Sequence, residues 1–173
     1  MAYCCSTTLS SIANSCSSNL GGISQVDVIC RANVTVNYDE VTGQITGVFK
    51  SGGVDFVSLT PRKQSGSLVT SLTVNDNGST FATNTATVLF NSIEEAKTIA
   101  VEALMGQDVT VIVTTNEKKH LLFGYEFPAN LNAGELNTGT AYADGSSVSL
   151  TFESTETKLP REVSQTIYDS LFE

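Results

Sequence analysis

Few side chains in this sequence are able to do acid–base or nucleophilic chemistry. His120 is the single histidine, and it follows Lys118 and Lys119 at the edge of a predicted hairpin, where a solvated structural histidine is expected. Carboxylates are adjacent at Asp39–Glu40, in a predicted turn, and at Glu94–Glu95, in the first turn of a predicted helix; both are ordinary structural positions for acidic residues. The sequence has no glycine-rich phosphate loop, nucleophile elbow or zinc-protease motif, so we expect a protein that is not an enzyme.

All cysteines of the sequence lie within its first 30 residues: Cys4, Cys5, Cys16 and Cys30. A zinc site would need close C-x-x-C pairs or histidine partners, and neither is present, so neither a metal nor a cofactor is expected. A disulfide between Cys16 and Cys30 is the alternative to free thiols. Free thiols are favoured because a protein made in the cytoplasm meets a reducing pool.

Composition and charge exclude several kinds of partner. The 173 residues carry a formal net charge of −9. A negatively charged surface argues against binding to nucleic-acid phosphates and against binding to an anionic membrane face. Met1–Thr8 has neither the basic nor the apolar part of a secretory signal, and no apolar run is long enough to span a bilayer. Tryptophan, the usual platform for sugar rings, is absent. The 20 serines, the 22 threonines and the 40% apolar content are typical of a folded β protein.

Alternation of apolar and polar residues predicts the fold class. Strand patterns recur about every 8 to 12 residues from Ile23 onward, separated by turn signals such as Asn75–Gly78, where Asn and Gly accept positive φ. Ser79–Phe90 is predicted as a long strand with threonines on one side and small, mostly alanine residues on the other. Pro128–Thr140 is predicted as a loop. We therefore expect a mainly β protein, one antiparallel sandwich or barrel over residues 23–173.

One flanking α-helix is predicted at about residues 92–105. Ser92 and Glu95 fit a capping box, in which the serine hydroxyl accepts a backbone N–H and the glutamate reaches back, and Gly106 supplies the end. Apolar residues cover so much of its circumference that the helix is expected to pack on a sheet and touch a second surface. Pro160–Glu173 has apolar residues at four-residue spacing, which favours a C-terminal helix over the alternative of a terminal strand.

Several features together favour self-association. Residues 1–22 are rich in Ser, Asn, Cys and Gly and contain too few large apolar residues to fold alone, so they are predicted to be an N-terminal arm that orders only against another surface. The apolar helix, the long polar hairpins and the aromatic C-terminus also fit poorly with a lone monomer. The main expected partner is therefore a second copy of the chain.

The layout resembles the tail tube proteins of long-tailed bacteriophages, particularly those infecting Bacteroidetes-type hosts. The similarity rests on three stretches: Asn19–Ile23 entering the first strand; the single helix followed by paired strands over Ser92–Tyr125; and Gly124–Pro128, continuing through Gly134 and Thr138–Ala141 to Asp144-Gly145, Leu150 and Pro160. Together these stretches cover a little over half of the chain.

The resemblance implies a structural protein of the virion tail. Six copies would join their sheets into a ring, and rings would stack into a hollow tube that carries DNA to the host without binding it specifically. Other tail proteins would be further partners, and the same fold serves contractile injection systems. Arms and loops, here residues 1–22 and 60–66, would bridge one ring to the next. The candidate assembly residues are Leu20, Gly21, Gly22, Pro61, Arg62, Lys63, Ile99, Val101, Tyr168 and Phe172.

Two other functions remain open at this point. Another phage structural component, such as a tail terminator, a head–tail connector or a capsid decoration protein, would share the composition but would not polymerise into a tube. A monomeric β-sandwich binding module, for instance an adhesin, would bind a saturable ligand and would tie residues 1–22 to its own sheet.

Overall fold

A computed structural model describes residues 11–14, 20–141 and 143–172 of the chain. In chain order its elements are β1 (Ile23–Cys30), β2 (Val34–Tyr38), β3 (Ile45–Lys50), β4 (Val57–Leu59), β5 (Ser67–Val74), β6 (Thr80–Asn91), α1 (Glu95–Leu104), β7 (Val109–Thr115), β8 (His120–Phe123), β9 (Asn130–Asn137), β10 (Ser147–Glu156), β11 (Arg161–Val163) and α2 (Gln165–Asp169). The predicted fold class is confirmed: the protein is mainly β, with antiparallel sheets and a flanking helix. None of the helices in the described ranges is both long and apolar enough to span a membrane.

Three sheets form the body of the protein. A five-stranded sheet has the order β11-β8-β7-β1-β4, a four-stranded sheet has the order β5-β6-β10-β9, and β2 and β3 form a two-stranded sheet. All strand pairings within these sheets are antiparallel.

The five-stranded sheet lies between two hydrophobic cores. On β7, Val111 and Val113 belong to the core shared with the four-stranded sheet, whereas Ile112 faces the core covered by β2, β3 and the C-terminal segment. Both faces of β7 are therefore buried, which explains its nearly continuous run of β-branched residues. The four-stranded sheet, by contrast, is covered on one face only.

The two faces of β6 differ as the sequence predicts. Ala82, Ala86 and Val88 are buried against the five-stranded sheet, together with the polar Asn84. The alternate residues, among them the threonines, lie on the half-buried outer face. Small inner side chains on β6 leave room for the larger Phe152 on the neighbouring β10, which is fully buried.

The predicted loop over Pro128–Thr140 is wrong. Residues Asn130–Asn137 form β9, which pairs with β10 through a register shift between Thr151 and Phe152. Asn, Ala and Gly in β9 have low strand propensity, so local sequence argues against a strand here. Pairing with the strongly alternating β10 overrides that preference.

The capping box predicted for α1 is also wrong. The helix begins at Glu95, Glu94 occupies the N-cap position with no side-chain cap, and the Ser92 hydroxyl donates to the Glu94 carboxylate at 2.7 Å. Ser92 has a φ of 56°, a left-handed conformation that keeps residue 92 outside the helix. The predicted end is confirmed, because Gly106 follows the last turn with a φ of 71°.

The C-terminal segment contains both of the elements that were alternatives for it. Arg161–Val163 pair with β8 as β11, and α2 follows after Ser164, whose hydroxyl accepts the backbone N–H of Ile167. Leu171 is buried in the second core. The arm predicted over residues 1–22 lies mostly outside the described residues, as do Cys4, Cys5 and Cys16.

Candidate functional site

A buried carboxylate lies at the centre of a polar cluster that joins distant parts of the chain. Asp27 of β1 is fully buried, and its Oδ1 accepts hydrogen bonds from the Ser58 hydroxyl at 2.5 Å and from the Gln25 amide at 2.7 Å. Its Oδ2 accepts from the Tyr168 hydroxyl of α2 at 2.7 Å. Three neutral donors from three elements therefore satisfy this carboxylate.

His120 belongs to the same cluster and is buried, so the predicted solvated position is wrong. Its ring stacks on the ring of Tyr168 with centroids 3.7 Å apart. Its Nε2 lies 2.9 Å from Gln165 Oε1, and its Nδ1 lies 2.9 Å from Thr114 Oγ1. Because an amide oxygen only accepts, Nε2 is the donor in its contact with Gln165 Oε1. Local sequence could not predict this burial, because the residue that covers the ring, Tyr168, is 48 positions away in the chain.

The contacts of this cluster differ from those of a Ser–His–Asp triad. A Ser–His–Asp triad needs a histidine nitrogen to accept the serine proton, but the Ser58 hydroxyl donates to Asp27 and both ring nitrogens of His120 are bonded elsewhere. What the cluster does is fasten α2 to the five-stranded sheet. The structural role expected for His120 therefore agrees with its contacts.

The ionisation of Tyr168 makes the contribution of this cluster to stability measurable. Burial, and then the hydrogen bond to Asp27, raise the pKa of Tyr168 from 10.0 to about 12. Since an unfolded phenol ionises near 10, the contribution of Tyr168 to stability is full below pH 10 and is lost as the pH rises towards 12. We expect Tyr168→Phe to lower the free energy of unfolding by about 1 kcal/mol at pH 8, and less at higher pH. Urea unfolding at several pH values measures both effects.

Tyr38→Phe is the matched control for this variant. Tyr38 is also half-buried, but its ring lies under the Lys158 ammonium at 4.1 Å and does not contact Asp27. If the free energy of unfolding depends on pH in the same way in Tyr168→Phe and in the unchanged chain, the loss of stability between pH 10 and pH 12 does not come from Tyr168.

The two predicted carboxylate pairs have local structural roles. Asp39 accepts the backbone N–H of Val41 at 2.9 Å and the Thr42 hydroxyl at 2.8 Å, and these bonds hold the pKa of Asp39 below its ordinary value. The hydrogen bond from Ser92, followed by the bond and charge of Lys97, likewise lowers the pKa of Glu94. The described residues contain no group of three or more His, Cys, Asp or Glu side chains placed to bind a metal.

The structure brings some of the candidate assembly residues together. Leu20 and Gly21, where the described chain approaches β1, line one groove of about 400 Å³ with Pro61 and Lys63 of the β4–β5 loop. Pro61 is buried, whereas Lys63 is exposed. The neighbouring Gly22 has a φ of 93°, and Arg62 is exposed. The exit of the predicted arm and the predicted bridging loop are therefore neighbours.

The helical and C-terminal candidates lie elsewhere. Ile99 is 58% exposed on α1, whereas Val101 packs against the first core of its own chain. Tyr168 belongs to the Asp27 cluster. Phe172 is partly exposed, with its ring centroid 6.0 Å from that of Phe56.

Sequence reasoning missed an exposed apolar surface at the edge of the four-stranded sheet. On the edge strand β5, Val69 is 56% exposed, Leu72 is 67% exposed and Val74 is 71% exposed. The opposite edge strand, β9, exposes Leu136. An edge with unpaired backbone groups and exposed apolar side chains is a template for pairing with another chain. The signal in the sequence was the run of apolar residues at β5, but only the sheet order identifies it as an edge.

The outer face of the same sheet has no positive charge. None of β5, β6, β9 and β10 contains lysine or arginine. Of their three glutamates, 135 and 153 lie on the outer face, whereas 156 is buried on the inner one. The outer face carries rows of hydroxyls, including Thr87 and Thr151 with their Oγ1 atoms 3.4 Å apart. It is a neutral to acidic surface bounded by the edge strands β5 and β9, neither of which has a further strand partner within the described part of the chain.

Protein-family models, curated proteins and solved structures were compared with the chain, and none of them matches it.

Proposed function

We propose that this chain is a structural virion protein that assembles into rings, with six copies each, which stack into a phage tail tube conducting DNA during ejection. The observation that carries the proposal is the four-stranded sheet, whose strands contain no lysine or arginine and whose two edges are open among the residues that the structure describes. The stacking of rings into a tube and the number of six copies are inferred from the family resemblance described above.

The strand directions favour closure of a ring. Neighbouring strands alternate in direction across the order β5-β6-β10-β9, so the two edge strands β5 and β9 are antiparallel to each other. When copies are related by rotation about a ring axis, β9 of one copy meets β5 of the next copy in antiparallel orientation. The four-stranded sheet therefore continues without a mismatch, and both of its edge strands find a partner.

The outer face fits the wall of a DNA channel. A cationic wall would bind phosphates and hold the DNA in place, whereas hydroxyls and a few carboxylates leave it free to slide. With the outer faces of the four-stranded sheets towards the axis, the two-stranded sheets and the C-terminal segments lie on the outside of the ring. The chain would then be located in the virion tail, with tail proteins as its other partners.

Negative-stain microscopy of the purified protein tests the proposal. We expect hollow filaments, or stacked rings of constant width. Rings that never stack would favour a connector or terminator. A monodisperse monomer at high concentration would overturn the proposal and would favour a monomeric binding module.

A further inference from the structure

An apolar groove of about 350 Å³ runs between α1 and the edge strand β4. Its lining includes Cys30, Val54, Val57, Leu59, Ala100 and Ala103. Asp55 is the only charged residue that lines it, and Val57 is 53% exposed. The groove is therefore an apolar surface in contact with water, and burying it would be favourable.

The groove also lies beside an open strand edge. One edge of β4 pairs with β1, as in Asp27 opposite Ser58, and its other edge has no strand partner within the described part of the chain. An extended segment entering the groove would find backbone hydrogen-bonding groups on one side and apolar side chains below it. This combination is typical of strand addition, in which main-chain bonds give affinity and pockets give specificity.

The first 26 residues of the sequence have a composition that suits this groove. They contain no charged side chain, the first being Asp27, and they include Tyr3, Leu9 and Ile12 among small polar residues. An uncharged segment enters an apolar groove without the cost of stripping water from an ion. Within residues 11–14, Ile12 is 99% exposed, so its own subunit does not cover it.

The position of the arm favours a groove on another copy. Leu20 lies at the β7–β8 turn, where its N–H donates to Glu117, and this is the end of β1 opposite to Cys30 and the groove. The 8 residues of β1 span about 26 Å. The chain before Leu20 is long enough to reach beyond its own subunit, since ten extended residues cover about 33 Å.

We propose that residues 1–10 of one copy lie in the α1–β4 groove of a second copy. This inference rests on the proposed function for the presence of neighbouring copies, and it adds the contact by which the arm holds them. The groove supplies an open strand edge and an apolar floor, and the arm supplies a segment without charged side chains, followed by Ile12, which its own subunit leaves exposed.

The cysteines allow a direct test with two full-length variants. The first keeps Cys30 and carries Cys4→Ser, Cys5→Ser and Cys16→Ser; the second keeps Cys4 and Cys5 and carries Cys16→Ser and Cys30→Ser. The two are mixed and treated with diamide, which takes up two electrons and two protons for each disulfide formed. We expect covalent dimers of one copy of each variant, with Cys4 or Cys5 joined to Cys30 in mass spectra of the peptides.

Two controls make the result specific. Adding Ala103→Glu to the first variant puts a charge at the wall of the groove on an exposed position, and it is expected to lower the yield of mixed dimers about tenfold. A chain that keeps Cys4, Cys5 and Cys30 together tests the alternative that residues 1–10 occupy the groove of their own subunit. Disulfides that form only within that single chain would overturn docking on a second copy.

Microscopy of the same samples separates this inference from the proposed function. Tubes that form without the Cys4–Cys30 or Cys5–Cys30 disulfide would overturn the inference and leave the tube intact. Mixed disulfides in a sample that contains no rings or tubes would support the arm contact and overturn the tube.

Discussion

Leu72→Lys is expected to prevent ring and tube formation at concentrations where the unchanged chain assembles. Leu72 lies on the edge strand β5, on the face that it shares with the buried Ala82, and it is itself 67% exposed. A second copy joined at this edge would cover it, and an inward-pointing charge is one of the features by which natural edge strands avoid pairing. We expect the concentration for half-assembly to rise about 10- to 100-fold, which corresponds to roughly 1.4 to 2.7 kcal/mol for each contact.

The isolated subunit of Leu72→Lys should remain folded. An exposed position usually changes the free energy of unfolding by less than about 0.5 kcal/mol. Urea unfolding of dilute protein measures this, and light scattering with microscopy measures assembly.

Val41→Lys is the control for the added charge. Val41 is exposed in the turn between β2 and β3, on the far side of the five-stranded sheet from β5. Equal loss of assembly in Val41→Lys and Leu72→Lys would assign the effect to net charge. Normal tubes from Leu72→Lys would contradict the pairing of β5 with β9.

The sequence was sufficient where a pattern is set by local geometry. The alternation in β6 predicted which face carries Ala82 and Ala86 and which carries the threonines, because side chains alternate strictly along a strand. The end of α1 at Gly106 was predictable for a similar reason, since a left-handed residue is needed there.

The features that sequence reasoning missed depend on residues far apart in the chain. His120 is buried because Tyr168 of α2 covers it, and β9 is a strand because β10 pairs with it. The exposed apolar edge at Leu72 follows from the sheet order, which no local pattern encodes. The candidate site therefore became visible only with the topology.

The second large effect is expected at Glu156, a carboxylate buried between the two sheets. Its Oε1 accepts the backbone N–H of Glu126 at 3.0 Å, and its Oε2 accepts the Asn84 amide at 3.1 Å. Glu156→Ala removes the acceptor of the half-buried Glu126 N–H and one of the two acceptors of the Asn84 amide, which keeps its bond to the Ser154 hydroxyl at 3.2 Å, and it opens a cavity. We expect the free energy of unfolding to fall by about 2 to 5 kcal/mol in urea unfolding.

Glu153→Ala is the matched control, because Glu153 lies on the same strand but on the outer face, where the Asn132 amide donates to it at 3.0 Å. Its loss should cost less than about 0.5 kcal/mol. Equal costs at positions 153 and 156 would contradict a structural role for the buried carboxylate.

Glu156→Gln separates the charge of this side chain from its hydrogen bonds. Burial is the main cause that raises the pKa of Glu156 above its ordinary value of 4.5, and the Glu126 N–H opposes it. The folded state therefore holds this proton more tightly than the unfolded state, so the contribution of Glu156 is full below about pH 4.5 and is lost as the pH rises through the raised pKa. The glutamine has no such transition, so the stability of Glu156→Gln relative to the unchanged chain should increase between pH 4 and pH 7. A difference that stays constant over this range would contradict the raised pKa, since the other carboxylates titrate alike in both proteins and cancel.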